Sequence, residues 1–155
     1  MESGESQKPD SGAAGLKSHG RRFEFKGTEA IDTAALEAFK YQYPGKDITI
    51  TTATEEFTTV CPFSGLPDFG KLTIEYVPDA KCVELRSLKY YLISYRMVGI
   101  FYEHVCNRIL EDLTGLLGPK RMRVVCDFTI RGGLQTTVSA EYKKPAGDDK
   151  RGRGR

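Results

Sequence analysis

The sequence predicts an α+β domain: a four-stranded antiparallel sheet with two helices inserted between its second and third strands (ββααββ). Three observations carry the prediction. Residues Asp47 to Val60 and Lys71 to Tyr76 are rich in Thr, Ile and Val or alternate polar with apolar side chains. Residues Ser87 to Met97 and Ile100 to Leu117 repeat apolar groups at the spacing of a helix face. A final stretch alternates again on both sides of Gly132-Gly133.

The elements follow in chain order. Residues 1–20 are rich in Ser, Gly, Glu and Lys with few apolar groups, the composition of a disordered tail. Phe23 to Pro44 contains one weak helix, Asp32 to Phe39, with Asp32 placed to cap it. The strand Asp47 to Val60 follows, then Lys71 to Tyr76, which Pro78 and Asp79 end. Cys82 to Leu85 is read as a short return that continues the sheet. In the first helix Leu88, Tyr91, Leu92 and Tyr95 share a side; in the second Phe101, Val105, Ile109 and Leu113 make a stripe widened by Cys106 and Leu110. Gly118-Pro119 stops that helix. Met122, Val124, Cys126, Phe128 and Ile130 alternate in the third strand. Leu134, Thr136, Val138, Ala140 and Tyr142 do so in the fourth. One domain over residues 21–144 is expected, with residues 145–155 a second, basic tail ending Arg151-Gly152-Arg153-Gly154-Arg155. Both helices on one face leave the other face and two strand edges open, which makes a closed oligomeric barrel reasonable without requiring it.

Composition removes several classes of function. Lysine and arginine total 23 against 21 acids, a net charge of +2, so nothing demands a nucleic acid or an acidic membrane as partner. No stretch has the apolar core of a signal peptide or a membrane span. Cys61, Cys82, Cys106 and Cys126 show no CxxC spacing, against a structural zinc site or a disulfide framework, and point to free thiols in the cytoplasm. With only His19 and His104, a His-rich metal site or a Ser-His-Asp triad is hard to assemble.

Three segments carry chemistry. Cys61-Pro62-Phe63-Ser64-Gly65-Leu66-Pro67-Asp68-Phe69 puts a thiol and a carboxylate at the ends of a turn that its Pro and Gly residues bar from helix or central strand. A thiol beside an acid suggests a covalent nucleophile with a proton donor; against this stands the common role of a lone Cys as a buried small hydrophobe. Glu84-Leu85-Arg86-Ser87-Leu88-Lys89 places two cations a helical turn apart at a helix start, where phosphate binds, or where a solvated basic edge simply lies. Phe101-Tyr102-Glu103-His104 opens the second helix with Tyr102 on the apolar stripe, Glu103 at its border and His104 on the polar side. A border carboxylate matches the paired N–H groups of a guanine-like edge, or serves the helix dipole.

With these segments placed, the chain resembles the unimodular 7-cyano-7-deazaguanine reductases, NADPH-dependent nitrile reductases of the tunnelling fold related to GTP cyclohydrolase I. The likeness spans about Asp47 to Tyr142. Cys61-Pro62 with Ser64-Gly65 and Pro67-Asp68-Phe69 is similar to the family's nucleophile loop, Glu84 to Tyr91 to its signature, Glu103 to its substrate-anchoring Glu, and Arg131-Gly132-Gly133 to its Arg-Gly-Gly turn. Arg86 replaces the signature's first Lys, Leu66 and Ser64 stand where Gln and Thr are common, and Tyr102 stands where His usually precedes the Glu.

The resemblance implies catalysis by Cys61 and Asp68, through a thioimide on Cys61 that NADPH reduces twice to the amine used in queuosine biosynthesis. It implies substrate contacts from Val83, Glu84, Leu85, Tyr102 and Glu103, and cofactor contacts from Leu85, Arg86, Lys89, Arg131 and Gly132. It implies no metal, a homo-oligomer with sites at subunit interfaces, and neither a membrane nor a stable nucleic-acid partner. Cys106, three residues past Glu103, is placed for core packing more than for a protective disulfide with Cys61. Two rivals stand beside this reading: a thioimide-forming amidinotransferase acting on deazaguanine in tRNA, and a noncatalytic RNA-binding module using the sheet and the Arg-Gly tail. The Cys/His set for the catalytic zinc of a GTP cyclohydrolase is missing.

Overall fold

The computed structural model describes residues 15–18 and 21–147; the tail readings for the remaining residues lie outside them. The elements are β1 (Ala38–Lys40), β2 (Ile50–Val60), β3 (Pro67–Val77), β4 (Lys81–Val83), α1 (Leu85–Ile93), α2 (Tyr102–Leu117), β5 (Arg121–Phe128) and β6 (Thr137–Lys143). Strands β2, β3, β5 and β6 form the expected antiparallel sheet in that order. Alternation sorts its faces. Leu72, Ile74 and Tyr76 of β3 and Met122, Val124, Cys126 and Phe128 of β5 are buried beneath the helices. The opposite face is polar, with Glu75, Arg123 and Glu141 in one cross-strand row and Arg123 3.1 Å from Glu141.

Helix α2 lays Val105, Cys106, Ile109, Leu110, Leu113 and Leu117 on β5 and β6. Each fully buried aliphatic side chain there contributes about 1.5–3 kcal/mol. The helix ends at Gly118 in the left-handed conformation (φ 54°), as Gly118-Pro119 foretold. Helix α1 continues into a 3₁₀ turn, Ser94–Met97. The helices are joined inside by a buried chain of hydroxyls: Tyr95 donates to Tyr91 (2.8 Å), which donates to Asp112 (2.7 Å), which also takes Arg108 at 2.9 Å.

Several local expectations change. Cys82 to Leu85 does not continue the sheet, because β3 is already flanked by β2 and β5; β4 instead pairs with β1 as a separate ribbon. That pairing also converts the weak helix of Asp32 to Phe39 into a 3₁₀ turn, Thr33–Ala35, followed by strand; Asp32 still caps it, accepting from the Ala35 amide at 3.2 Å. Pro67-Asp68-Phe69 is not turn but the start of β3, a central strand, where proline is tolerated as first residue. Ile130 and Leu134 lie outside their strands, in the hairpin around Gly132-Gly133 where both glycines take positive φ, and both are exposed. Cys106 is fully buried and bonds the Val138 carbonyl, in core packing as its stripe position favoured, and all four cysteines are free.

Candidate active site

The turn between β2 and β3 is tied by its own backbone. The Cys61 amide donates to the Leu66 carbonyl (2.9 Å) and the Gly65 amide to the Cys61 carbonyl (2.8 Å). Gly65 is required twice over: its φ is +73°, and a Cβ there would meet the Phe23 carbonyl oxygen at 2.6 Å. This closed turn presents the half-buried Cys61 to a ring of donors. Burial acts to raise the thiol's pKa, but the Ser64 hydroxyl, the Ser64 and Phe63 amides and the Arg131 charge outweigh it and hold it below 9.0. The loop thus favours the nucleophilic thiolate.

Asp68 follows on the inner face of β3, buried to 5% exposure. A buried carboxylate needs partners, and two distant elements bring them. The Tyr102 hydroxyl donates to Oδ1 at 2.9 Å and Arg131 Nη1 at 2.6 Å, while Arg131 Nη2 reaches Ser64 Oγ at 2.9 Å. Arg131 therefore links the acid to the nucleophile loop. The Tyr102 ring stacks on Phe128 with centroids 3.7 Å apart, which fixes where the hydroxyl points. Burial, and then Asp68, push the Tyr102 phenol up, so it stays a proton donor. Glu103 is exposed beside it in the first turn of α2, and His104 is exposed as expected.

The second group of expected residues lies elsewhere. The Val83 amide bonds the Tyr76 hydroxyl, and Tyr76 is about 26 Å along β3 from Asp68 at roughly 3.3 Å per residue. Glu84, Leu85 and Arg86 open α1 at that far end. Lys89 lines a groove of ≈250 Å³ between α1 and β2. The Glu84 carboxylate itself caps α1, accepting from the Arg86 (3.0 Å) and Ser87 (2.7 Å) amides, which lower its pKa. The Glu84 amide is bonded to Glu37. The helix N-terminus expected to receive phosphate is thus filled by the chain's own carboxylate, leaving exposed Leu85, Arg86 and Lys89 side chains to meet a ligand. One chain brings Cys61, Asp68, Tyr102, Glu103, Arg131 and Gly132 to one end of the sheet, and sets Val83 beside the far end of β3 and Lys89 beside the middle of β2. Ser64 and Phe128 had no assigned role in the sequence reading; the spacing of Ser64 from Cys61 within the turn was the available signal for one of them.

A family described as QueF-like protein matches residues 67–147, which include Asp68, the Glu84–Lys89 segment, Glu103 and Arg131. The chain is 57% identical over 124 residues to the NADPH-dependent 7-cyano-7-deazaguanine reductase of Caldicellulosiruptor bescii, covering 80% of this chain and 95% of that protein. It is 53% identical to the protein of the same name from Thermoanaerobacter pseudethanolicus, over 80% of this chain and 93% of that one. A crystal structure of the apo archaeosine synthase QueF-Like superposes with TM-score 0.55 at 23% identity, over 64% of this chain and 95% of that chain; it shares the fold.

Proposed function

The chain belongs to the QueF-like family of 7-cyano-7-deazaguanine reductases, and from that membership we propose that it reduces the nitrile of 7-cyano-7-deazaguanine to the primary amine with NADPH, in queuosine biosynthesis in the cytoplasm. The observation that carries the residue roles is the linked set Cys61–Ser64–Arg131–Asp68–Tyr102. It joins an activated thiol to a buried acid.

Cys61 attacks the nitrile carbon as thiolate, forming the S–C bond. Asp68 gives the nitrogen its proton, which makes a neutral thioimide. Tyr102 and Arg131 orient the Asp68 carboxyl and stabilise the carboxylate left behind. Glu103 binds the paired N–H groups of the guanine-like edge, helped by Val83, Glu84 and Leu85. Exposed Arg86 and Lys89 suit a phosphate-bearing cofactor; with Leu85, Arg131 and Gly132 they would hold NADPH. NADPH, when bound, supplies two hydrides to carbon, which with two protons balance nitrile to amine. Covalent capture by Cys61 holds the ligand through the first hydride; the thiolate then leaves that adduct as its C–S bond breaks, giving the imine that takes the second.

The two residue groups stand apart on one sheet, Val83 beside the far end of β3 and Lys89 beside the middle of β2. We therefore include an oligomeric barrel in the proposal, with the Cys61 end of one copy facing the Glu84–Lys89 segment of another. Strands β2 and β6 are the sheet edges through which copies join.

The test is NADPH consumption with 7-cyano-7-deazaguanine, comparing native protein with Cys61→Ala and reading intact mass in parallel. Two NADPH oxidised per substrate, abolished in the variant, is the expected result. A Cys61-dependent adduct without oxidation shifts the reading to the aminating chemistry. The absence of both signals removes the enzyme reading.

A further inference from the structure

Among the described residues, one buried side-chain polar atom has no hydrogen-bond partner: Oγ1 of Thr59, in a residue with 0% exposure. Packing alone selects valine at such a place, because valine has the same shape and no polar atom to leave unpaired. The position of Thr59 supplies a reason for the hydroxyl. Thr59 lies directly opposite Asp68 in the β2–β3 register. Side chains so paired project from the same face, with Cβ atoms about 4.5–5.5 Å apart. A change of staggered χ1 rotamer carries a hydroxyl across such a gap.

The Asp68 carboxyl is loaded unevenly. Tyr102 and Arg131 both donate to Oδ1. Two donors on one oxygen leave Oδ2 the more basic, and so the one that carries the proton. We propose that Thr59 is a positioning residue whose hydroxyl is the partner of Asp68 Oδ2. It accepts from the carboxyl while Asp68 holds its proton, and donates to the carboxylate once that proton has gone to the substrate nitrogen. A hydroxyl performs either part by rotating. The charged and titratable groups facing Asp68 are Arg131 from the hairpin and Tyr102 from α2, with Cys61 beyond Ser64 in the loop. All of them remain in a Thr59 variant.

The catalytic part of this inference rests on Asp68 being the acid of the proposed reaction. The Thr59–Asp68 coupling is measured without substrate. The experiment is a carboxyl-carbon NMR titration of the full chain, with the Asp68 signal identified by its loss in Asp68→Asn. Thr59→Val raises the Asp68 midpoint, because the charge-assisted bond lost from the carboxylate is stronger than the neutral one lost from the carboxyl. Thr59→Ser keeps the native midpoint. Thr59→Ala is the second hydroxyl-free variant should valine disturb the fold. In turnover, Thr59→Val moves the pH–rate profile in the same direction and Thr59→Ser does not. Equal Asp68 midpoints in native protein and in both hydroxyl-free variants overturn the proposal, whatever the reductase assay gives. A Thr59-dependent midpoint in a protein that oxidises no NADPH supports the coupling and counts against the reductase reading instead.

Discussion

Replacing Ser64 with alanine tests how the loop ionises its thiol. Burial raises the Cys61 pKa, and the Ser64 hydroxyl is the largest of the groups that bring it down. The same hydroxyl oxygen accepts from Arg131 Nη2 at 2.9 Å and from the Leu66 amide at 3.3 Å, so it is held in place from both sides. Alanine removes it and leaves burial, the two loop amides and Arg131. A hydrogen bond to a charged group is worth about 1.5–3 kcal/mol, and one pKa unit is about 1.4 kcal/mol, so complete loss corresponds to roughly 1–2 units. Cys61 is only half-buried, and water replaces part of the lost bond, which reduces the expected rise to about one unit. Below the midpoint the thiolate fraction, and with it the alkylation rate, falls about tenfold. The assay is the pH dependence of iodoacetamide alkylation, followed by peptide mass mapping to Cys61. Cys82, Cys106 and Cys126 are buried and label only on unfolding. A Ser64→Ala midpoint within about 0.2 unit of native would refute the account of thiolate stabilisation.

Two further predictions concern assembly and pH. Cys61→Ala and Lys89→Ala are each expected to be inactive alone, yet to regain nitrile-dependent NADPH oxidation when unfolded together and co-refolded, because mixed oligomers contain sites with both residues intact; no recovery in demonstrably mixed oligomers counts against shared sites. Burial pushes the Tyr76 phenol up to about 12, and those of Tyr91 and Tyr95 higher still. A folded pKa above the unfolded value near 10.0 gives stability that is fully present below pH 10 and lost as pH rises through about 12. Circular dichroism and tyrosinate absorbance should therefore change together in that window, and full tyrosine titration near pH 10 with native dichroism would contradict the burial argument.

The order of strands and helices was legible because burial repeats: period two along Lys71 to Tyr76, period near 3.6 along Ile100 to Leu117. Caps were legible for the same local reason, as Asp32 and Gly118 act within one turn of themselves. Where local signals misled, pairing overrode them. Phe39 is drawn into a ribbon opposite Cys82, and Asp68 is strand because β2 and β5 flank it. In neither case does the residue's own neighbourhood reveal the partner.

The sequence alone determined the chemistry on offer: a thiol in a Pro/Gly-bounded turn, an acid a few residues on, a cation pair at a helix start, and a family likeness joining them. The tertiary structure decided the geometry. It carried Arg131 to Asp68 and Ser64, turned Tyr102 into a donor braced on Phe128, and set Thr59 opposite the acid. It also set the start of the Glu84–Lys89 segment away from Cys61, beside the far end of β3. The physical reason is that hydrogen bonds and charge pairs act over a few ångströms, whereas the residues they join here are far apart along the chain. Only strand register and helix packing bring such groups into range or keep them out of it.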